Sequence, residues 1–241
     1  MESAVTAAYD VSAEFYDVLQ ERRDHARARD RFGAAARRAR TGVIDVGAGT
    51  GIVADVLVRA TTAPVHAIEP ADAMRAFLLD RLAGMAPRDR ARVTVHPCPA
   101  QDFRLHRSAD LAVAANVVQC LSPEDRRATW RALAEALVPG GLLLFDPPPE
   151  SLERPGQWRL PPVHAGEDVY SAHVTSTPED GVQRLHYTYR VHRAGTLVRE
   201  EHEAFTVWPA SRATVTAELE DAGFTPVRPP HRDVRAAVLR A

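Results

Sequence analysis

Apolar residues in this chain fall into short uninterrupted runs separated by stretches with helical spacing. Val43-Ile44-Asp45-Val46, Val65-His66-Ala67-Ile68-Glu69, Val93-Thr94-Val95-His96, Asp110 to Asn116 and Leu142-Leu143-Leu144-Phe145 read as strands. Mostly apolar runs of this length suit parallel strands covered on both faces. Helices are expected between them. One opens at Ile52-Val53-Ala54-Asp55, and another places Met74, Phe77, Leu78 and Leu82 at core spacing. A third begins at Ser122-Pro123-Glu124-Asp125, with serine as the cap, proline at the first helical position and an acid three after the cap. It is expected to run through Trp130, Leu133 and Leu137 to a Pro139-Gly140-Gly141 turn.

Past Phe145 the period changes to two. Leu185, Tyr187, Tyr189 and Val191 share one face, and His186, Thr188, Arg190 and His192 share the other. The region from about Val169 to Trp208 therefore predicts a three-stranded antiparallel meander, with turns at Pro178-Glu179-Asp180-Gly181 and Arg193-Ala194-Gly195. A helix over Ser211 to Asp221 stops at Gly223, and Phe224–Arg228 with Val234–Leu239 form a closing strand pair. Near the N-terminus, eight arginines and two aspartates between Arg22 and Arg40 read as the solvated face of an amphipathic helix rather than a grip on an anion.

The chemistry begins where the first strand ends. Gly47-Ala48-Gly49-Thr50-Gly51 makes a tight turn into a helix, where backbone N–H groups can approach a ligand closely. Ile52 stands where a dinucleotide fingerprint needs glycine, and a phosphate-binding loop needs a lysine that the chain lacks altogether. Asp45-x-Gly47-x-Gly49-x-Gly51 instead resembles the first motif of class I S-adenosylmethionine-dependent methyltransferases, in their small-molecule, natural-product branch. Further landmarks follow in step. Glu69 ends the second strand 18 residues after Gly51, where an acid accepts hydrogen bonds from ribose hydroxyls.

The resemblance covers residues 40–146 closely and implies the fold. That fold is a doubly wound Rossmann-like α/β sheet of seven mostly parallel strands, with helices on both faces, an N-terminal helical lid and an inserted β meander. The cofactor would be S-adenosylmethionine, leaving as S-adenosylhomocysteine. Its expected contacts are Tyr16, Asp45, Gly47, Ala48, Gly49, Gly51, Glu69, Pro70, Met74, Ala100, Gln101, Asp102, Asn116 and Val117. Among these, Asp102 would accept from the adenine amino group. Met74 either packs on adenine or belongs to the core, and Tyr16 either closes over the methionine end or packs inward. Tyr16 and His164 are the catalytic candidates, His164 from a Pro-Pro-Val-His-Ala-Gly loop near the expected active-site mouth. Asp146-Pro147-Pro148-Pro149 is similar to a motif of amino- and base-methylating enzymes, but it follows the fifth strand rather than the fourth and reads as a rigid exit from the sheet.

Length and composition fit one domain of 241 residues with 45% hydrophobic content. Its expected parts are a cover (1–40), a cofactor-binding core (41–146), the β insertion over the active site (147–210) and the closing helix and strand pair (211–241). Net charge is −2, which gives no footprint for nucleic acid. Two cysteines make no disulfide framework, no apolar run approaches the roughly 18 residues of a membrane span, and no signal-peptide core stands at the start, so the expectation is cytoplasmic. No histidine pair shows the spacing of a helical zinc site, so no metal is expected. The expected partner is a small-molecule substrate, methylated at a hydroxyl, amine or carbon, with a possible homodimer through the β insertion. Two competing readings are a relative that binds the cofactor but catalyses another reaction such as cyclisation, and a non-catalytic interaction protein.

Overall fold

The computed structural model describes residues 9–240; residues 1–8 of the expected cover, and Ala241, lie outside the described residues. In chain order the elements are α1 (Ser12–Ala36), β1 (Val43–Val46), α2 (Ile52–Ala60), β2 (Val65–Ile68), α3 (Asp72–Ala83), the single turn α4 (Pro87–Arg90), β3 (Val93–His96), β4 (Ala109–Ala114), α5 (Pro123–Ala136), β5 (Leu137–Phe145), β6 (Gly156–Ala165), β7 (Asp168–Glu179), β8 (Val182–Arg193), β9 (Thr196–Val207), α6 (Arg212–Asp221), β10 (Phe224–Val227) and β11 (Arg235–Leu239).

Seven strands form one sheet in the order β10-β11-β5-β4-β1-β2-β3, in which only β11 runs antiparallel to both of its neighbours. Alternate side chains leave the sheet on opposite faces. Val43, Leu111 and Val113 pack under α1, α2 and α3, whereas Ile44, Ala112 and Phe145 pack under α5 and α6. This two-sided burial is why the strands read as continuous apolar runs. The order reverses between β1 and β4, which opens a crevice at their carboxyl ends.

Two expectations need correction. Helix α5 stops at Ala136, and Leu137 is already extended. Gly140 takes a φ of +79°, and the pairing jumps from Ala109–Leu137 to Leu111–Leu142, so Pro-Gly-Gly is a bulge within β5 rather than a turn before it. The insertion carries four strands, in the order β6-β7-β8-β9, not three. The extra strand β6 contains Pro161-Pro162, which conceal its alternation. Lacking N–H groups, these prolines sit where the register slips between Leu160 and Val163 on an edge strand. His164 is consequently part of a strand and not of a loop.

The inner face of this second sheet rests on the start of α1. Phe15 stacks on Tyr189 at 4.5 Å, and the Arg199 guanidinium sits over its ring while pairing with Glu14 at 2.8 Å. Val11 has no side chain able to cap the helix, and Glu203 of β9 supplies the cap from a distance. Its carboxylate accepts from Tyr9 N at 2.8 Å and Ser12 N at 2.9 Å, and from the Ser12 hydroxyl. The chain over residues 9–16 is thereby fixed above the crevice.

Candidate active site

A cavity of about 470 Å³ occupies the crevice, floored by the carboxyl ends of β1, β2 and β4 and roofed by α1 and β9. The glycine turn forms one wall. Gly47, Gly49 and Gly51 all have positive φ, which favours glycine. A Cβ on Gly47 would lie 2.7 Å from Val117 Cγ2, and one on Gly51 would lie 2.7 Å from Leu78 Cδ1. A Cβ on Gly49 would meet nothing within 4 Å, so this is the glycine whose missing side chain leaves room in the cavity.

Glu69 sits opposite. Its carboxylate accepts from Gly49 N and Ala71 N, both at 2.8 Å, which fixes its orientation and leaves further lone pairs for a ligand. Burial raises its pKa, and these two N–H groups pull part of that shift back. Ala48, Pro70, Met74, Ala100, Gln101, Asn116 and Val117 also line the cavity. Met74 is at once a cavity wall and a core residue, because it packs with Ala13 and Ala71.

Asp45 lies beneath the turn, 1% exposed, and neither carboxylate oxygen has a hydrogen-bond partner among the described residues. Burial, aided by the charge of Glu69, raises its pKa to about 7. The native state therefore holds this proton at pH values where the unfolded chain has released it. Ligand-free stability is expected to fall as pH rises from about 4 towards 7 and then to level off. Thermal melts across that range should show the slope, and Asp45→Asn should flatten it.

Tyr16 projects from α1 into the cavity, where its hydroxyl donates to Asp24 Oδ2 at 3.1 Å. Burial and the Asp24 charge push its pKa well above the ordinary phenol value, while the Asn116 side chain offsets part of the shift. Asn116 takes a left-handed φ of +57°, and its N–H donates to Asp146 Oδ2 at 3.0 Å. Asp146 also pairs with Arg31 at 2.9 Å, and burial raises its pKa against that pairing. Asp24, Arg27, Arg31, Asn116 and Asp146 thus form a polar wall of alternating charge.

Four expected residues do not line the cavity: Asp45 is buried beneath the turn, and Gly51 closes the turn against Leu78 and Arg81. Asp102 is exposed on the short turn Ala100–Asp102 and does not line the cavity, whereas Gln101 does, with its amide held by Asp125 at 3.1 Å. His164 is exposed on β6 and does not line the cavity either.

Residues 44–143 match the family model of a methyltransferase domain. Among solved structures, the chain is similar to DesVI of Streptomyces venezuelae, with 21% identity, a TM-score of 0.78 and coverage of 96% of this chain and 98% of that one. It is similar to S-adenosylmethionine-bound CalS10 of Micromonospora echinaspora, an amino pentose methyltransferase of calicheamicin biosynthesis (23% identity, TM-score 0.69, 91% and 89% coverage). It also resembles the sugar N-methyltransferase KedS8 of a Streptoalloteichus species (21% identity, TM-score 0.70, 100% and 96% coverage). No curated protein matches the sequence at a significant level. At these identities the shared property is the fold, that of S-adenosylmethionine-dependent methyltransferases.

The cavity also takes residues from outside the matched span. Tyr9, from the N-terminal cover, lines the cavity, and so do Asp24, Arg27, Arg31, Asp146 and Phe205, which the sequence did not place there. Arg31 and Arg27 stood in the arginine run read as a solvated face. Burial of Ala28, Phe32, Ala35 and Ala36 bears out an amphipathic helix, but Arg31 lies on the rim of its buried stripe and turns inward.

Proposed function

We propose that the domain transfers the methyl group of S-adenosylmethionine to an amino nitrogen of a polyhydroxylated small molecule. The observation that carries this reading is the division of one cavity into two chemically different ends. One end has the glycine turn and Glu69, which suit a nucleoside; the other has the carboxylates of Asp24 and Asp146 interleaved with Arg27 and Arg31. Carboxylates facing a cavity favour an ammonium, and the interleaved guanidiniums suit neighbouring hydroxyl groups. The amino sugar methyltransferases of this fold agree with such an acceptor.

The residues fit the cofactor. Glu69 retains acceptor capacity for ribose hydroxyls, Gly49 leaves space, and Met74, Ala100 and Gln101 form a mixed wall for adenine. Asp45 is an orphaned buried carboxylate beneath the same turn. Bound S-adenosylmethionine supplies a methyl group made electrophilic by its sulfonium.

The chain's own residues must then hold the acceptor in line and remove its proton. Asp146 is the base in this reading, because burial makes its carboxylate a better proton acceptor than an ordinary aspartate. Tyr16 cannot share that role, since its raised pKa keeps it protonated; it orients the acceptor through its hydroxyl. Tyr16→Phe should lower kcat by roughly tenfold to a hundredfold, with S-adenosylhomocysteine affinity unchanged. His164→Ala should leave turnover intact. The substrate class is tested by offering amino sugars and their hydroxy counterparts with labelled methyl donor. Methylation of the hydroxy series alone would overturn the amine assignment, and a reaction without methyl transfer would favour the repurposed-fold reading.

A further inference from the structure

A second cavity of about 290 Å³ lies across β5 from the first, between the exit of that strand, α6 and the β10–β11 pair. The two cavities share a wall. Asp146 faces the first, while its neighbours Phe145 and Pro147 face the second. Much of the second wall is proline, with Pro147 and Pro148 on one side and Pro226 and Pro229 on the other. Fixed φ angles make such a wall stiff, so the cavity needs little ordering to receive a ligand.

The chemistry of the lining is asymmetric. Its depth is apolar, formed by Phe145, Val215 and Leu219, and Val227 at its edge is 39% exposed. Arg212 and Arg235 also line it, and neither side chain forms an ion pair or hydrogen bond among the described residues. Both guanidiniums are therefore available to a ligand in this cavity, unlike those of Arg31, Arg81, Arg126 and Arg199, which are held in ion pairs. Glu150 is the one carboxylate in the lining and has no partner either, which leaves an excess of one positive charge.

We propose that this second cavity is a binding site for a small apolar monoanion, an aromatic or aliphatic carboxylate or sulfonate. Its ring or chain fills the space over Phe145 and Leu219, and its acidic group is met by Arg212 and Arg235. A dianion is disfavoured by Glu150, and a neutral apolar molecule leaves both guanidiniums unused. The site is separate from the methyl-transfer cavity and does not depend on the substrate assigned there.

The probe is 8-anilinonaphthalene-1-sulfonate, a fluorescent apolar monoanion, titrated into the full chain with the first cavity saturated by S-adenosylhomocysteine. The expected result is one saturable site per chain. Its affinity should fall at least about tenfold in the Arg212→Gln/Arg235→Gln double variant, each lost charged hydrogen bond being worth that order. Binding of the neutral analogue N-phenyl-1-naphthylamine should be weaker and unaffected by the double substitution. Thr216→Trp, which adds volume to the lining from the α6 side, should block both probes. Unchanged thermal melts of the variants show that the fold is intact. The proposal is overturned by absence of saturable binding, by equal affinity in the double variant, or by signal that vanishes as the chain self-associates, since a second copy would then cover the cavity.

Discussion

Arg126→Ala should destabilise the folded chain by roughly 3–5 kcal/mol, the usual cost of leaving one member of a buried ion pair alone. Arg126 is 1% exposed at its side chain and Glu218 is 7% exposed. The pair is bidentate, with Nε donating to Oε2 at 2.7 Å and Nη2 to Oε1 at 2.8 Å, and the Trp130 indole N–H adds a longer contact at 3.4 Å. It ties α5 to α6 beneath the sheet, on the face that also holds Phe145 and Phe224. Removing the guanidinium leaves the buried carboxylate with only the long contact to Arg127 Nη1 at 3.9 Å and the Trp130 indole, too little to offset its desolvation. Urea unfolding should show the midpoint falling with little change in slope. The double substitution Arg126→Met/Glu218→Leu should recover most of the loss, because two apolar side chains impose no uncompensated charge.

Glu69→Ala should weaken S-adenosylhomocysteine binding by at least about 30-fold, or roughly 2 kcal/mol. Two effects combine. The ribose hydroxyls lose a charged acceptor, and Gly49 N and Ala71 N lose the carboxylate that sets the shape of the turn and the strand exit. Glu69→Gln keeps one carbonyl acceptor and should fall between the two. Calorimetric titration gives the affinities, and a melting temperature near that of the parent chain separates a damaged site from a damaged fold. Equal affinity in the alanine variant would remove Glu69 from the nucleoside end of the cavity.

The parallel core was legible because each of its devices is local. Four strands buried on both faces wrote themselves as apolar runs, and Ser122 at the start of α5 does accept from Asp125 N, as its spacing requires. Ser211 does the same for Thr214 N at α6. The hairpin turns at Asp180-Gly181 and Ala194-Gly195 both have paired positive φ values, which the residue types suggest for Asp-Gly, whereas Ala194 adopts its φ of +49° against its own preference. What escaped sequence reasoning depends on long-range geometry. The β6 strand was hidden by two prolines that only a register slip can accommodate. Glu203 caps a helix 191 residues away from it in sequence, a contact with no local signature. Of the candidate site, the glycine turn, Glu69 and Tyr16 were readable, whereas the Asp24–Arg31–Asp146 wall emerges only when α1 is laid across the end of β5.

His164 shows the reverse case. A histidine beside prolines suggests a functional loop, but pairing with Val169 places it on the outward face of a polar sheet. Opposite that face, Tyr187 and Tyr189 turn towards the first helix and its lid. A period-two pattern assigns residues to faces well, but it cannot say which face looks towards the active site until the sheet is docked.

In the proposed reading, one cavity binds S-adenosylmethionine for methyl transfer. The most direct test is calorimetric titration of the purified chain with S-adenosylmethionine and, separately, with S-adenosylhomocysteine. Both should bind at one site per chain, with mutual competition and with weakening by Glu69→Ala. Failure of a well-folded sample to bind either molecule would contradict it.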